Sequence, residues 1–346
     1  MKNFLRGILV EFAVVFEIIK SFIISCVVIA AILLALSAVI HNVFKIREIY
    51  AEDSLGYKNL VSVEMNRINV KVSGSGDQTV VILSSFATPS PIVQYKAYTD
   101  ELVQKGYRVV VIEYFGYGYS LSSKDPRTVP YFVAEINAAL ENAEIYGPYI
   151  FLASGNSGLY ASAYANSYPD SVQRLVLVDS IYPATIEESF IKKQLEDQNF
   201  NITLTSFAEL TGYARILSYV KPDMFGIDKM QNLGFSSEDI KFYRKMIANR
   251  FYTKTMRNEY KATPQNMEDY KDYKFPDYLP VTQILSDEYV KEYAKYKSEK
   301  LIKKDIETYA NDLITNSEIQ NIVTVDGEKE NLNLSNPSSV IMEAGF

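Results

Sequence analysis

Twenty consecutive residues without a charge, SFIISCVVIAAILLALSAVI from Ser21 to Ile40, dominate the hydrophobic pattern of the chain. As a helix rising about 1.5 Å per residue, they cover roughly the 30 Å of a bilayer's hydrocarbon core. The pattern predicts a transmembrane helix. A cleavable signal peptide is the competing expectation, with small residues near Ala35-Leu36-Ser37 as the processing site. The apolar run nevertheless exceeds the core of about 7 to 15 residues that such peptides use. Residues 1–42 are therefore assigned to a single-pass anchor in the cell membrane, 43–60 to a mixed, polar stalk and 61–346 to a folded domain. Lys2, Arg6 and Lys20 precede the span together with Glu11 and Glu17, and Lys45 and Arg47 follow it, so basic residues barely distinguish the two sides. A short cytoplasmic N-terminus with the domain outside is the orientation expected of one N-terminal anchor.

After residue 60 the period changes. SVEMNRINVKVSGSG alternates apolar and polar residues before a Gly-Ser turn, and QTVVILSS follows as a short apolar run, which predicts two strands joined by a tight turn. YKAYTDELVQKG then has helical spacing and a glycine stop. YRVVVIEY, PYIFLAS and QRLVLVDS read as strands, separated by helices over VPYFVAEINAALENAEIYG and SGLYASAYANSYP. Val- and Ile-rich strands unbroken by polar residues, alternating with helices, predict a mostly parallel sheet covered on both faces. From about residue 182 to 278 the strand pattern gives way to helical, Tyr-rich, charged text, a predicted cap inserted above the sheet. LPVTQILSDE and IQNIVTVDG supply two last strands around the charged helix KEYAKYKSEKLIKKDIETYANDLI, whose interleaved Lys and Glu mark a solvated face.

Composition narrows the chemistry. A net charge of -7 with no cluster of Lys and Arg argues against a nucleic-acid partner. One cysteine, Cys26, excludes a disulfide framework or zinc ribbon, and the acidic pairs lack cation-loop spacing, so no metal or other cofactor is expected. The single histidine, His41, sits beside the apolar segment, leaving no imidazole in the domain.

From about Asn69 onward the order of elements resembles the α/β-hydrolase superfamily. LSSFATPSP (83–91) stands where that family places an oxyanion-binding turn, EYFGYGYS (113–120) resembles its Asp-x-x-Gly-x-Gly-x-Ser loop, and GPYIFLASGNSGLYA (147–161) covers the strand, nucleophile elbow and helix. The resemblance implies an α/β-hydrolase-like fold with a helical cap, and it assigns positions. Gly155 stands at the nucleophile of the Gly-x-Ser-x-Gly elbow, where it offers no attacking atom. Glycine also relieves the positive φ that an elbow imposes. Ser154 and Ser157 are fallback nucleophiles, each with capping or packing as its simpler role. Asp287 after the seventh strand matches the acid, and Asp179 after the sixth the alternative acid. The histidine position falls on Lys329 or Glu330 within VDGEKENLNLSNP. The amides of Phe86 and Asn156 would remain as an oxyanion pocket facing a carbonyl or small anion.

The expectation is thus a membrane-anchored member of the superfamily with a degenerate triad, binding a small amphipathic ligand or a protein partner. The alternative expectation is an active ester or acyl hydrolase with a non-standard nucleophile and Glu330 or Asp287 as base. A third is a scaffold within a membrane complex.

Overall fold

The computed structural model describes residues 2–49, 53–289, 298–328 and 331–346. A long helix, α1 (Lys2–Ile49), leads into β1 (Leu60–Val63), β2 (Asn66–Ser73) and β3 (Thr79–Leu83). α2 (Pro91–Gln94), α3 (Lys96–Gln104), β4 (Arg108–Glu113), α4 (Val129–Asn142), β5 (Tyr149–Ser154), α5 (Ser157–Ser167) and β6 (Val172–Val178) follow. The helices α6 (Ser189–Thr211), α7 (Tyr213–Val220), α8 (Ile227–Asn232), α9 (Ser237–Arg250) and α10 (Lys254–Asp269) come next. β7 (Val281–Ser286), α11 (Glu299–Asp312), β8 (Gln320–Val325), α12 (Leu332–Ser335) and α13 (Pro337–Glu343) complete the described elements.

Eight strands form one sheet in the order β1-β2-β4-β3-β5-β6-β7-β8, in which β2 alone runs against the others. Successive side chains of a strand face opposite ways, so a sheet covered on both sides needs apolar residues at every position. β3 meets that demand: Val80 and Ile82 enter the core beneath α3 and α13, Val81 and Leu83 the core beneath α4 and α5. β5 divides likewise, with Ile150 and Leu152 on one side and Phe151 and Ala153 on the other.

Two expectations for the first strands are corrected. The alternating stretch after residue 61 is a hairpin, because Glu64 turns into the left-handed region at φ 52° and β2 folds back antiparallel on β1. Nor are β2 and β3 sheet neighbours. β4 lies between them, antiparallel to β2 with Val70 opposite Ile112 and parallel to β3 with Val81 opposite Val110. A glycine-rich connection makes two strands consecutive, but their partners are chosen by burial across the sheet, and the fully apolar β3 takes the interior place.

α1 runs beyond residue 42 through the first seven residues of the segment assigned to the stalk. Its stretch Val14–Glu48, with a mean hydropathy of 3.0 over an 18-residue window, is long and apolar enough to cross a membrane. From Phe16 to Leu36 its described side chains are exposed. The turns after that pack one face on the helices between β6 and β7.

Candidate functional site

The strand-to-helix bend lies at the C-terminal end of β5. Ser154 completes the strand opposite Val178, Gly155 takes φ +57°, and α5 starts at Ser157. The Gly155 N–H donates to Val178 O at 3.0 Å, and its carbonyl accepts from Ile181 N at 3.3 Å, so neighbouring backbone fixes the bend. A Cβ on Gly155 would stand 3.2 Å from the Ser85 Cβ, so the space above the bend is partly taken.

The two fallback serines are placed away from the bend's opening. Ser157 is 1% exposed, donates to Ser84 O at 2.5 Å and shares a hydrogen bond of 2.9 Å with the Tyr114 hydroxyl. Ser154 is buried within the sheet. Asp179, held at φ 45° and 2% exposed, accepts from Ser286 N at 2.7 Å while its own amide donates to Ile284 O, tying β6 to β7. Asp287 is exposed and accepts from Gly327 N at 2.9 Å, which pins the loop after β8. Lys329 and Glu330 lie outside the described residues.

A cavity of about 220 Å³ opens over the bend. Phe86, Ala87 and Asn156 form its floor, Ile191, Leu195 and Ile202 of α6 one wall, and Tyr252, Tyr260 and Met267 another. The amides of Phe86 and Asn156 have no protein acceptor among the described residues. The described lining contains no Asp, Glu, Lys, Arg, His, Ser or Cys. Four of its hydroxyls are engaged by backbone: Thr185 donates to Tyr182 O at 2.6 Å, Thr263 to Glu259 O at 3.2 Å, Tyr289 to Ser180 O at 3.0 Å, and Tyr260 to Leu195 O. Such a surface suits an uncharged molecule with apolar bulk and one polar end. Ala87 at φ 60° and Tyr252 at φ 53° are left-handed residues without glycine's licence, and both line this cavity. Sequence patterning carries no signal for either.

Below the floor, the EYFGYGYS loop is built around Glu113. This buried carboxylate accepts from Tyr119 N at 2.7 Å and Asn69 Nδ2 at 2.9 Å. A Cβ on Gly118, which lies at φ +45°, would fall 1.9 Å from Glu113 Oε2, so only glycine fits there. Burial holds the Glu113 carboxyl above its ordinary pKa, against those hydrogen bonds.

A second buried acid, Glu259 of α10, was not foreseen. It accepts from the hydroxyls of Tyr117 at 2.8 Å and Tyr160 at 3.2 Å, and Tyr117 in turn accepts from Ala87 N at 3.2 Å. Beside it the buried Arg127–Glu135 pair meets at 2.5 Å, with the guanidinium 3.9 Å over Phe132. Burial is the largest influence on Glu259 and pushes it up to about 7, opposed by Arg127 and the two tyrosines. A lone glutamate in a helical, charged segment has no spacing that announces such a partnership.

Residues 78–312 match the profile of a family described as alpha/beta hydrolase fold. A Bacillus subtilis (strain 168) protein, described as uncharacterized protein YbdG, is 23% identical over 258 residues, covering 74% of this chain and 76% of its own length. Among solved structures, potato (Solanum tuberosum) epoxide hydrolase I superposes with a TM-score of 0.61 at 17% identity, covering 83% of this chain and 97% of that one. An epoxide hydrolase from Vigna radiata gives 0.58 at 16% identity, with 83% and 95% covered. The thioesterase domain from the curacin biosynthetic pathway gives 0.51 at 15%, with 83% and 98% covered. Likeness at these identities extends to the fold.

Proposed function

The chain belongs to the α/β-hydrolase fold family, and from that premise we propose that it is a membrane-anchored member that binds a small, uncharged amphipathic ligand and does not turn it over. Gly155 carries the reading: the position from which the family's nucleophile would act has no side chain. The missing histidine supports it independently, since the one imidazole, His41, is buried against the cap rather than in the cleft. Loss of either serine or histidine from such a triad costs about a millionfold in rate. α1 is the membrane span in this reading, with the N-terminus cytoplasmic and the domain outside.

The competing reading, an active hydrolase with a carboxylate base, needs Asp287 or Glu330. Asp287 is occupied with Gly327 N and lies outside the cavity lining. The test is a fluorophosphonate probe and p-nitrophenyl esters on the full-length chain in detergent. No labelled serine and no hydrolysis above the buffer rate is the expected result; labelling mapped to Ser154 or Ser157, with turnover lost on its mutation, overturns the proposal.

A further inference from the structure

We propose that the exposed face of α7 rests in the headgroup boundary of the bilayer, an inference that depends on α1 spanning the membrane. The depth of the cap follows from where α1 holds it. Ser37 lies inside the twenty-residue charge-free run, one turn from its end at Ile40. Its hydroxyl donates to Thr211 O at 2.7 Å, at the elbow between α6 and α7. One turn on, His41 is 4% exposed and packed so closely on Gly212 that a Cβ there would lie 2.7 Å from the histidine Cβ.

Further turns complete the clamp. Lys45 pairs with Glu209 at 3.0 Å, and Glu48 accepts two bonds of 2.8 Å from Arg215 and one of 2.7 Å from Asn249. A run of twenty apolar residues is just long enough for the hydrocarbon core. A backbone carbonyl bonded to Ser37 therefore sits at the edge of that core.

α7 begins at that elbow and is two-sided. Ala214 and Ser218 are buried in the cap, whereas Tyr213, Ile216 and Val220, at helical spacing, are 51%, 52% and 67% exposed. Ile216 lies about 6 Å of helix rise from Gly212, beside the elbow that Ser37 holds. The apolar surface is continuous with α1: Val43 and Phe44 are exposed, and the Arg215 guanidinium stands 5.6 Å over the Phe44 ring. Tyrosine beside aliphatic residues is the composition that membrane interfaces favour.

The chain has no tryptophan, so a single introduced one reports its own surroundings. Full-length Val27→Trp, Ile216→Trp and Tyr146→Trp are compared in phosphatidylcholine vesicles with and without bromine on the acyl chains. Val27 lies inside the charge-free run, and Tyr146 is 70% exposed just before β5, at the sheet end opposite the cap. Ile216→Trp is expected to lose about half its emission, more with bromine near the headgroup than deep in the chain. Tyr146→Trp should lose none. Tyr213→Trp is a second reporter should the first perturb packing. Quenching at Val27 with none at Ile216 or Tyr213 overturns the inference and leaves the anchor standing. Quenching at Ile216 without Val27 overturns the anchor and with it the placement argued from it; quenching at neither overturns both.

Discussion

A side chain added to Gly155 would meet two obstacles, a φ of +57° and the Ser85 Cβ at 3.2 Å. Left-handed backbone alone costs a non-glycine residue about 1 to 2 kcal/mol. Gly155→Ser is expected to lower stability by about that amount, measured as a drop in unfolding temperature, and to remain unlabelled by the fluorophosphonate probe. Gly118→Ala is expected to do more harm. Its methyl would displace the buried Glu113 carboxylate from its donors, for a loss of about 3 kcal/mol. If the two variants ranked in the opposite order under thermal unfolding, the account of the Glu113 loop would be wrong. The strand-to-helix bend at Gly155 was legible in the sequence because small residues follow an apolar strand there. Ala87 and Tyr252 were not, since their left-handed conformations arise from packing between floor and cap.

At the scale of elements, one buried carboxyl group of α10 ties that helix to two neighbouring segments. Glu259 holds the hydroxyls of Tyr117, from the loop after β4, and Tyr160, from α5. A carboxyl raised from 4.5 to about 7 keeps its proton in the fold after the unfolded chain has released it. Its contribution is therefore complete below about pH 4.5 and lost as pH rises through about 7, a change on the order of 3 kcal/mol. Glu259→Gln is expected to flatten the fall of unfolding temperature across that interval. An unchanged slope would mean that Glu259 does not titrate there.

Element identity was largely readable: β3 and β5 are apolar at every turn of the pleat, and α5 starts where small residues follow a strand. Partnership was not. β2 and β3 follow one another across a glycine turn yet are separated by β4, because pairing is decided by distant burial.

For the whole molecule, α1 and the cap meet through side chains on both. Glu209 of α6 lies 3.0 Å from Lys45 and 3.7 Å from Arg257 of α10, and Glu48 holds Arg215 of α7 and Asn249 of α9, so the junction reaches four cap helices. Lys45→Ala combined with Arg215→Ala is expected to expose the α6–α7 elbow to limited proteolysis in the full-length chain while the sheet stays resistant. Equal resistance of the parent and double variant would show the junction to be passive. Nothing in the local pattern foretold this contact, since residues 43–49 read as polar linker and their partners lie more than 150 positions away.

α6 serves at both ends: Ile191, Leu195 and Ile202 wall the cavity, and Thr211 is bonded to Ser37. A spanning helix answers a mismatch in membrane thickness by tilting. In the proposed membrane reading, the contacts at Ser37, Lys45 and Glu48 couple the tilt of α1 to that rod. With α1 as the proposed span, tryptophan emission from a Tyr252→Trp reporter should differ between short-chain and long-chain lipid vesicles, so that bilayer thickness acts on the shape of the cavity that α6 walls.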